Sequence, residues 1–271
     1  MSVCLKFELH PWIWQRMCLS KECCIISVTI INSQYPISNS IMCGRFTLAA
    51  KPTTLATLFE LDEIPEIAPR YNIAPTQPVA AVRLAPHTTK REFTYLTWGL
   101  IPSWARDIKM GSRMINARSE TVAEKPTFRA AYKRRRCLIP ADGFYEWQKL
   151  KGRKQPQFIT MNDRAPFAIA GLWEHWESVE GSVIQSCTLL TTTPNAVVEP
   201  LHNRMPVILH PEDYDEWLYP DTDPGLFRHL LRPYPAGEMM AYPVSTYVNS
   251  PANDGPTCNQ PLEEQGQLSF L

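Results

Sequence analysis

Proline restricts the folds open to this chain more than any other feature, because 271 residues contain 25 prolines and only 11 glycines. A proline inside a helix removes a backbone hydrogen bond and clashes with the preceding turn. The pattern therefore excludes a bundle of long helices and predicts many short elements joined by rigid turns. The apolar fraction of 44% and the charged fraction of 20% are ordinary for a soluble globular protein.

Short apolar and β-branched runs predict strands along most of the chain after Met42. These runs lie at 43–48, 79–84, 93–101, 136–147, 157–161, 167–176, 186–193, 205–209 and 239–245. Short helices are predicted at 52–61, in the second half of 119–136, at 194–202 and at 211–218. Because strands and helices do not alternate regularly, we predict an α+β fold: a curved, barrel-like antiparallel or mixed sheet surrounded by short helices.

The first 41 residues differ in composition from the rest of the chain. Their apolar run at 24–31 is too short to span a bilayer, which takes about 20 apolar residues, and no signal cleavage site comes after it. A misassigned start codon, a removable propeptide and an irregular extension all explain such a leader, and we favour the first. We therefore predict a leader at 1–41, a catalytic domain at 42–256 and an irregular tail at 257–271.

The eight cysteines show no metal or disulfide pattern. Half lie in the leader, and the spacing of Cys18, Cys23 and Cys24 matches no common zinc site. The remaining four are scattered, which favours a reducing compartment; they are Cys43, Cys137, Cys187 and Cys258.

The net charge is zero, so contact with nucleic acid requires a local basic patch. The one dense basic run is YKRRRC at 132–137, which fits either a nucleic-acid contact or a solvated helix face.

Two titratable side chains are candidates for acid–base chemistry. Glu146 lies between Tyr145 and Trp147 on a predicted strand, where aromatic neighbours can raise the pKa of a carboxyl group. A solvent-facing strand glutamate is the alternative. His202 ends a predicted helix, where it serves either as a proton shuttle or as a helix-end histidine.

Further candidates point to a phosphate and base contact. Asn116 and Arg118 lie at a predicted helix start, where Arg118 could hold a phosphate or a structural salt bridge. Trp98 and Trp104 could stack on bases, or they could be core residues. None of these patterns decides between its two interpretations.

In combination, the blocks that carry these residues resemble one family, the SOS-response-associated peptidases, which process abasic sites. The resemblance runs in order from Met42 to about Pro256 and ends in VNSPANDGP. Its other blocks are MCGRF (42–46), YNIAPTQ (71–77), WGLIPSW (98–104), NARSET (116–121), ADGFYEW (141–147) and HNRMPVIL (202–209).

The resemblance implies that Cys43 becomes the first residue and reacts with abasic sites in single-stranded DNA. An α-amine has a pKa of about 7.7–8.0, so much of it is unprotonated at neutral pH and can form an imine with an aldehyde. The thiol of the same residue can then close a five-membered thiazolidine ring. Only a terminal 1,2-aminothiol can do this.

The resemblance also implies roles for the other residues. Glu146 is the expected acid and base, His202 assists proton transfer and crosslink reversal, and Asn116 holds the amine and thiol. Arg45 and Arg118 are expected to bind phosphates, and Trp98 to stack near the DNA. No metal or organic cofactor and no membrane contact is implied; we expect a cytoplasmic monomer that associates with the nucleoid through DNA. The peptidase activity is expected to be self-processing.

The leader departs from the family pattern, because any residue attached to the nitrogen of Cys43 turns the amine into an unreactive amide. Two other functions remain open. One is a thiol peptidase that acts on other proteins with Cys43 as nucleophile and His202 as base. The other is a non-enzymatic reader of modified or single-stranded DNA.

Overall fold

The computed structural model of the protein describes residues 44–85, 88–219, 223 and 225–262. Cys43, Met42 and the predicted leader lie outside these residues. The α-helices are short: α1 Pro52–Leu58, α2 Arg129–Arg134 and α3 Tyr214–Leu218. The strands are β1 Phe46–Leu48, β2 Arg70–Ile73, β3 Pro78–Leu84, β4 Arg91–Trp98, β5 Asn116–Arg118, β6 Arg136–Ala141, β7 Gly143–Leu150, β8 Arg153–Met161, β9 Phe167–Glu177, β10 Val183–Thr192, β11 Met205–Pro206, β12 Ile208–Leu209 and β13 Met239–Pro243.

The strands form two sheets. A five-stranded antiparallel sheet has the order β13-β8-β7-β1-β2, so the strand nearest the start of the described chain lies inside the sheet. In the second sheet the order β10-β4-β3-β6-β9 closes on itself, because β9 also pairs with β10. The result is a closed barrel, which is mixed because β10 runs parallel to β4.

Short elements extend the barrel rather than cover it with helices. β5 adds to β10 in parallel, β11 pairs with β10 and β12 pairs with β9. The prediction of an α+β fold with a curved, barrel-like mixed sheet and short outer helices is confirmed. In the described part of the chain, no helix combines the length and the apolar character needed to cross a membrane.

A glycine allows the chain to pass from the barrel into the five-stranded sheet. The predicted single strand at 136–147 is two strands, and β6 and β7 belong to different sheets on either side of Asp142. A Cβ on Gly143 would come within 2.3 Å of the Phe158 ring and 2.7 Å of the Ile159 carbonyl oxygen. Only glycine fits there, so the position of β7 depends on this residue.

Two apolar clusters stabilise the fold. The main cluster fills the barrel and reaches the five-stranded sheet through Phe46 and Phe144. The smaller cluster lies on the other face of that sheet and consists of Tyr145, Phe158, Val244, Val248 and Cys258. Because Cys258 is buried and Pro261 pairs with Val244, packing continues past the predicted domain boundary at 256.

One predicted helix is wrong. Residues 196–201 form consecutive turns instead of a helix. The side-chain oxygen of Asn195 accepts hydrogen bonds from the backbone N–H groups of Val197 and Val198, both at 3.1 Å. This is the bonding of a helix N-cap, but the backbone bonds that follow, from Glu199 to the Asn195 carbonyl and from His202 to the Val198 carbonyl, are not consecutive, so the helix does not propagate.

Candidate active site

The first described residues continue into β1, which is held inside its sheet. The backbone N–H of Tyr145 donates to the Arg45 carbonyl at 3.0 Å, and Phe46 pairs with Phe144. The antiparallel register therefore sets Gly44 opposite Glu146.

Glu146 is buried, with 3% of its surface exposed. Because side chains alternate along a strand, Glu146 lies on the same face of β7 as Phe144, which belongs to the main core. The solvent-facing alternative is therefore wrong. Glutamate is rarely buried, so Glu146 is a candidate for acid–base chemistry.

His202 is half-buried, and its tautomer is fixed by the backbone. The N–H of Arg204 donates to Nδ1 of His202 at 3.1 Å, which leaves the proton of the neutral ring on Nε2. Burial is the main cause that lowers the pKa of His202, and the positive charges of Lys149 and Arg204 lower it further. At neutral pH the ring is therefore neutral and can donate a hydrogen bond through Nε2.

Arg204 connects the His202 segment to the chain after β5. Its guanidinium binds both carboxylate oxygens of Glu120, at 2.6 and 2.8 Å, and also donates to the Thr191 carbonyl at 2.6 Å. The hydrogen bond from Arg204 is the largest cause of a lowered pKa at Glu120. Such a two-pronged pair fixes orientation as well as distance, so the two segments are held as one unit.

Asn116 and Arg118 lie on β5, so the predicted helix start at this point is wrong. The strand pairs in parallel with β10, with Asn116 beside Leu189 and Arg118 beside Thr191. Alternation directs Asn116 and Arg118 to one face and the buried Ala117 to the other. Asn116 is half-buried, whereas Arg118 is exposed and forms no ion pair with any described residue.

Trp98 cannot stack on DNA as predicted, because none of its surface is exposed. Its ring packs edge-on against Phe46 with centroids 5.2 Å apart. Its indole N–H donates to the Ile115 carbonyl at 2.8 Å. Trp98 therefore joins β1 to the residue just before Asn116 and acts as a spacer between two parts of the site.

Arg45 cannot bind a phosphate as predicted, because its guanidinium is buried and already used. One nitrogen donates to the Asn72 side chain at 2.8 Å and to the Val248 carbonyl at 2.9 Å, and the other to the Asn249 carbonyl at 3.2 Å. Burial lowers its pKa. We call Arg45, Asn72 and these two carbonyls the Arg45 clasp.

These contacts link the segments of the site one after another, from β1 to β7. β1 pairs beside Glu146, Trp98 links β1 to β5, and Arg204 links the chain after β5 to His202. The positive charge of Lys149, three positions after Glu146 on β7, contributes to the lowered pKa of His202. The contacts therefore connect the segments that carry Glu146, Asn116 and His202, and Gly44 lies opposite Glu146 in the register.

Sequence reasoning missed the residues that hold this arrangement. Arg204 and Glu120 lie within the blocks that carry the resemblance but were not singled out, since a salt bridge between residues 84 positions apart leaves no local signal. Asp142 accepts from the backbone N–H of Ala49 at the end of β1, and its own N–H donates to the Thr47 carbonyl. Burial is the main cause that raises the pKa of Asp142 to about 6.

The basic run at 132–137 does not form a single charged face. Lys133 and Arg134 are exposed, but Arg135 pairs with Glu174 at 2.8 Å. The guanidinium of Arg136 is buried and donates to backbone carbonyls, including that of Tyr132 at 2.8 Å. Half of the run is therefore structural. Within the described ranges, no group of three or more His, Cys, Asp or Glu side chains could hold a metal ion.

Known proteins are similar in sequence to this chain over most of its length. It is 46% identical over 220 residues to the abasic site processing protein YoqW of Bacillus subtilis strain 168, covering 79% of this chain and 97% of YoqW. It is 33% identical over 201 residues to the abasic site processing protein HMCES of Gallus gallus, covering 65% of this chain and 59% of HMCES.

Solved structures share the fold. A crystal structure of a Bacteroides thetaiotaomicron protein superposes with a TM-score of 0.73 at 25% identity, covering 81% of this chain and 99% of that one. One from Bordetella bronchiseptica superposes with a TM-score of 0.66 at 31% identity, covering 75% of this chain and all of that one (100%). The model of the SOS response associated peptidase (SRAP) family matches residues 42–251, and the chain belongs to this family.

Proposed function

We propose that this protein processes abasic sites in single-stranded DNA by forming a covalent crosslink through Cys43. The observation that carries the proposal is the register of β1, which sets Gly44 opposite the buried carboxyl group of Glu146. The described chain therefore begins opposite Glu146, the only acidic side chain of β7, which is buried. The names of the relatives, abasic site processing proteins, support abasic sites as the substrate.

The chemistry requires the α-amine of Cys43. The amine attacks the aldehyde carbon of the ring-opened sugar and, after loss of one water, gives an imine. The thiol then adds to the imine carbon, its proton moves to the nitrogen, and a thiazolidine results. The sum is amine, thiol and aldehyde giving one ring and one water, so no oxidant or metal is needed.

The described residues supply the proton transfers. Glu146 is proposed to protonate the leaving hydroxyl during imine formation and to take a proton from the thiol during ring closure. His202 is proposed to assist by donating a hydrogen bond to the reacting oxygen through Nε2, the position that its hydrogen bond from Arg204 leaves protonated. Asn116, held by β10 and by the Trp98 contact at Ile115, is proposed to orient the amine and the thiol.

The DNA-binding surface is proposed to differ from the one predicted. Trp104 replaces Trp98 as the stacking residue, because 58% of its surface is exposed and the next residue is anchored by a 2.7 Å hydrogen bond from Trp176 to the Ala105 carbonyl. Arg118 keeps its proposed phosphate contact. Other exposed cations between β4 and β5 extend this surface, and together with Arg118 we call them the basic strip: Arg106, Lys109, Arg113 and Arg118.

The leader must be absent from the working protein if this mechanism holds. Either translation starts at Met42, which is then removed, or the bond before Cys43 is cut by self-processing. The catalytic domain from Met42 to about Pro256 and the monomeric state are parts of the same proposal.

The test is a denaturing gel of a form starting at Met42, incubated with single-stranded DNA that carries an abasic site. Its intact mass should show Cys43 as the first residue, and a crosslinked band should form. Cys43→Ser should yield only an imine that borohydride traps. The 271-residue chain, verified by mass, should be inactive; crosslinking at the same rate would contradict the aminothiol mechanism.

The same assay tests Glu146 and separates the alternatives. Glu146→Gln keeps the shape but cannot titrate, so crosslinking at saturating DNA should slow by roughly 100-fold or more. Glu177→Gln, an exposed carboxyl group on the barrel, is the matched control and should react normally. A thiol peptidase would tolerate a blocked α-amine, and a non-enzymatic DNA reader would tolerate loss of Cys43 altogether.

A further inference from the structure

The hairpin that leads away from Glu146 is rich in positively charged side chains. Between Gly143 and Met161 the only acidic residue is Glu146, whereas the tip holds four exposed cations. We call this tip the basic hairpin: Lys149, Lys151, Arg153 and Lys154. None of the first three forms an ion pair with a described residue.

The pairing register places the cations of the tip close together. Lys149 lies directly opposite Lys154, and Leu150 opposite Arg153, in the antiparallel pair β7–β8. Lys151 lies in the turn between the two strands. Closely spaced lysine and arginine side chains of this kind attract the phosphates of a nucleic acid.

The tip is held in a defined position rather than left to vary. The turn at Lys151 and Gly152 uses a φ of 76° at the glycine, a conformation that other residues rarely adopt. Pairing between the strands is continuous from Gly143 to Leu150. Six residues of strand at about 3.4 Å each place Gly152 about 20 Å from Glu146.

The basic hairpin continues the strand that carries Glu146, with Lys149 three residues after it on β7. We propose that the basic hairpin binds backbone phosphates of single-stranded DNA several nucleotides away from the reacting sugar. The basic hairpin and the basic strip lie on different segments of the chain. In this proposal the DNA runs from the basic strip, past Glu146, to the basic hairpin. The inference rests on the proposed function for its substrate.

The test uses the full-length chain with two substitutions, Lys151→Ala and Arg153→Ala, and unmodified single-stranded DNA. Removing two phosphate contacts should flatten the plot of log affinity against log salt by about 1.4 and weaken binding roughly tenfold at low salt. The loss should be smaller with a short oligonucleotide that does not reach the hairpin. Lys149 is left intact because it affects His202.

Lys133→Ala with Arg134→Ala is the matched control, since it removes two exposed cations from α2. It should leave the salt dependence nearly unchanged. An unchanged melting temperature establishes that both double variants fold. Equal salt slopes for the hairpin variant and the unsubstituted protein would overturn the proposal, as would equal losses in the hairpin and control variants. A hairpin variant that keeps its DNA affinity but loses binding to anionic lipid vesicles would overturn it too.

The proposed function can fail independently. If the form starting at Met42 does not crosslink abasic DNA while the hairpin substitutions still flatten the salt dependence, the DNA surface stands and the chemistry is wrong. If that form crosslinks normally with both hairpin substitutions and with unchanged affinity, the chemistry stands and the surface is wrong.

Discussion

Arg45 and Arg118 lie beside the same site, yet the structure gives them opposite tasks. Arg45 is 6% exposed and donates to three oxygens, two of them carbonyls from near the end of the described chain. Arg118 is exposed and has no ion-pair partner among the described residues. A buried, saturated guanidinium positions a strand, and an exposed one is available to a ligand. Proximity to a site therefore does not make an arginine a DNA contact.

The largest effect is expected when the Arg45 clasp is broken. Arg45→Ala leaves the buried side-chain oxygen of Asn72 without its donor and removes one of two donors to the Val248 carbonyl, which should reduce the free energy of unfolding by about 2–4 kcal/mol. The melting temperature should fall by about 5–15 °C, measured by calorimetry. Arg45→Lys should lose less, since it keeps a charge but cannot reach every acceptor. A normal melting temperature combined with weaker DNA binding would restore the phosphate role.

The other end of β1 should show a pH effect of similar size. The pKa of Asp142 is raised from 3.8 to about 6, so between these values the folded protein binds more protons than the unfolded chain. Stability should therefore fall by about 2–3 kcal/mol as pH rises from about 4 to about 6. In Asp142→Asn this part of the pH dependence should disappear from urea unfolding curves. An identical profile in the variant would mean that Asp142 titrates normally.

A smaller effect is expected at the pair that joins the His202 segment to β5. Glu120→Gln and Arg204→Gln should each destabilise the fold, and the coupling energy from the double-mutant cycle should be about 1–2 kcal/mol because Glu120 is partly exposed. Nitrogen NMR shifts of His202 should still report a proton on Nε2 in Glu120→Gln. Additive effects of the two substitutions would show that the pair does not link the segments.

The smallest effect is expected at Arg118. Arg118→Ala should leave the melting temperature unchanged and flatten the salt dependence of single-stranded DNA binding by about 0.7, the value for one lost phosphate contact. Arg129→Ala, an exposed arginine on α2, is the control and should bind normally. If both variants bind as the unsubstituted protein does, Arg118 takes no part in binding, and the contrast with Arg45 disappears.

The sequence predicted the features that depend on local pattern and missed those that depend on distant partners. Most barrel strands are apolar runs, and their positions match the prediction within a few residues. β5 has only three residues and exists because β10 supplies its hydrogen bonds, so no local pattern indicates it. The burial of Arg45 likewise depends on carbonyls more than 200 positions away. The resemblance named the correct blocks but could not tell positioning residues from contact residues.

The position of β1 inside its sheet has a consequence for synthesis. β1 pairs with β7, which lies roughly a hundred residues later in the chain. At about 5–20 residues per second, the ribosome needs about 5–20 s to make β7 after β1. During this interval the start of β1 has no partner on that side, so enzymes that trim the nascent chain can reach Cys43 before β7 is available. We expect trimming to precede docking, which the N-terminal mass of chains stalled before residue 143 would check.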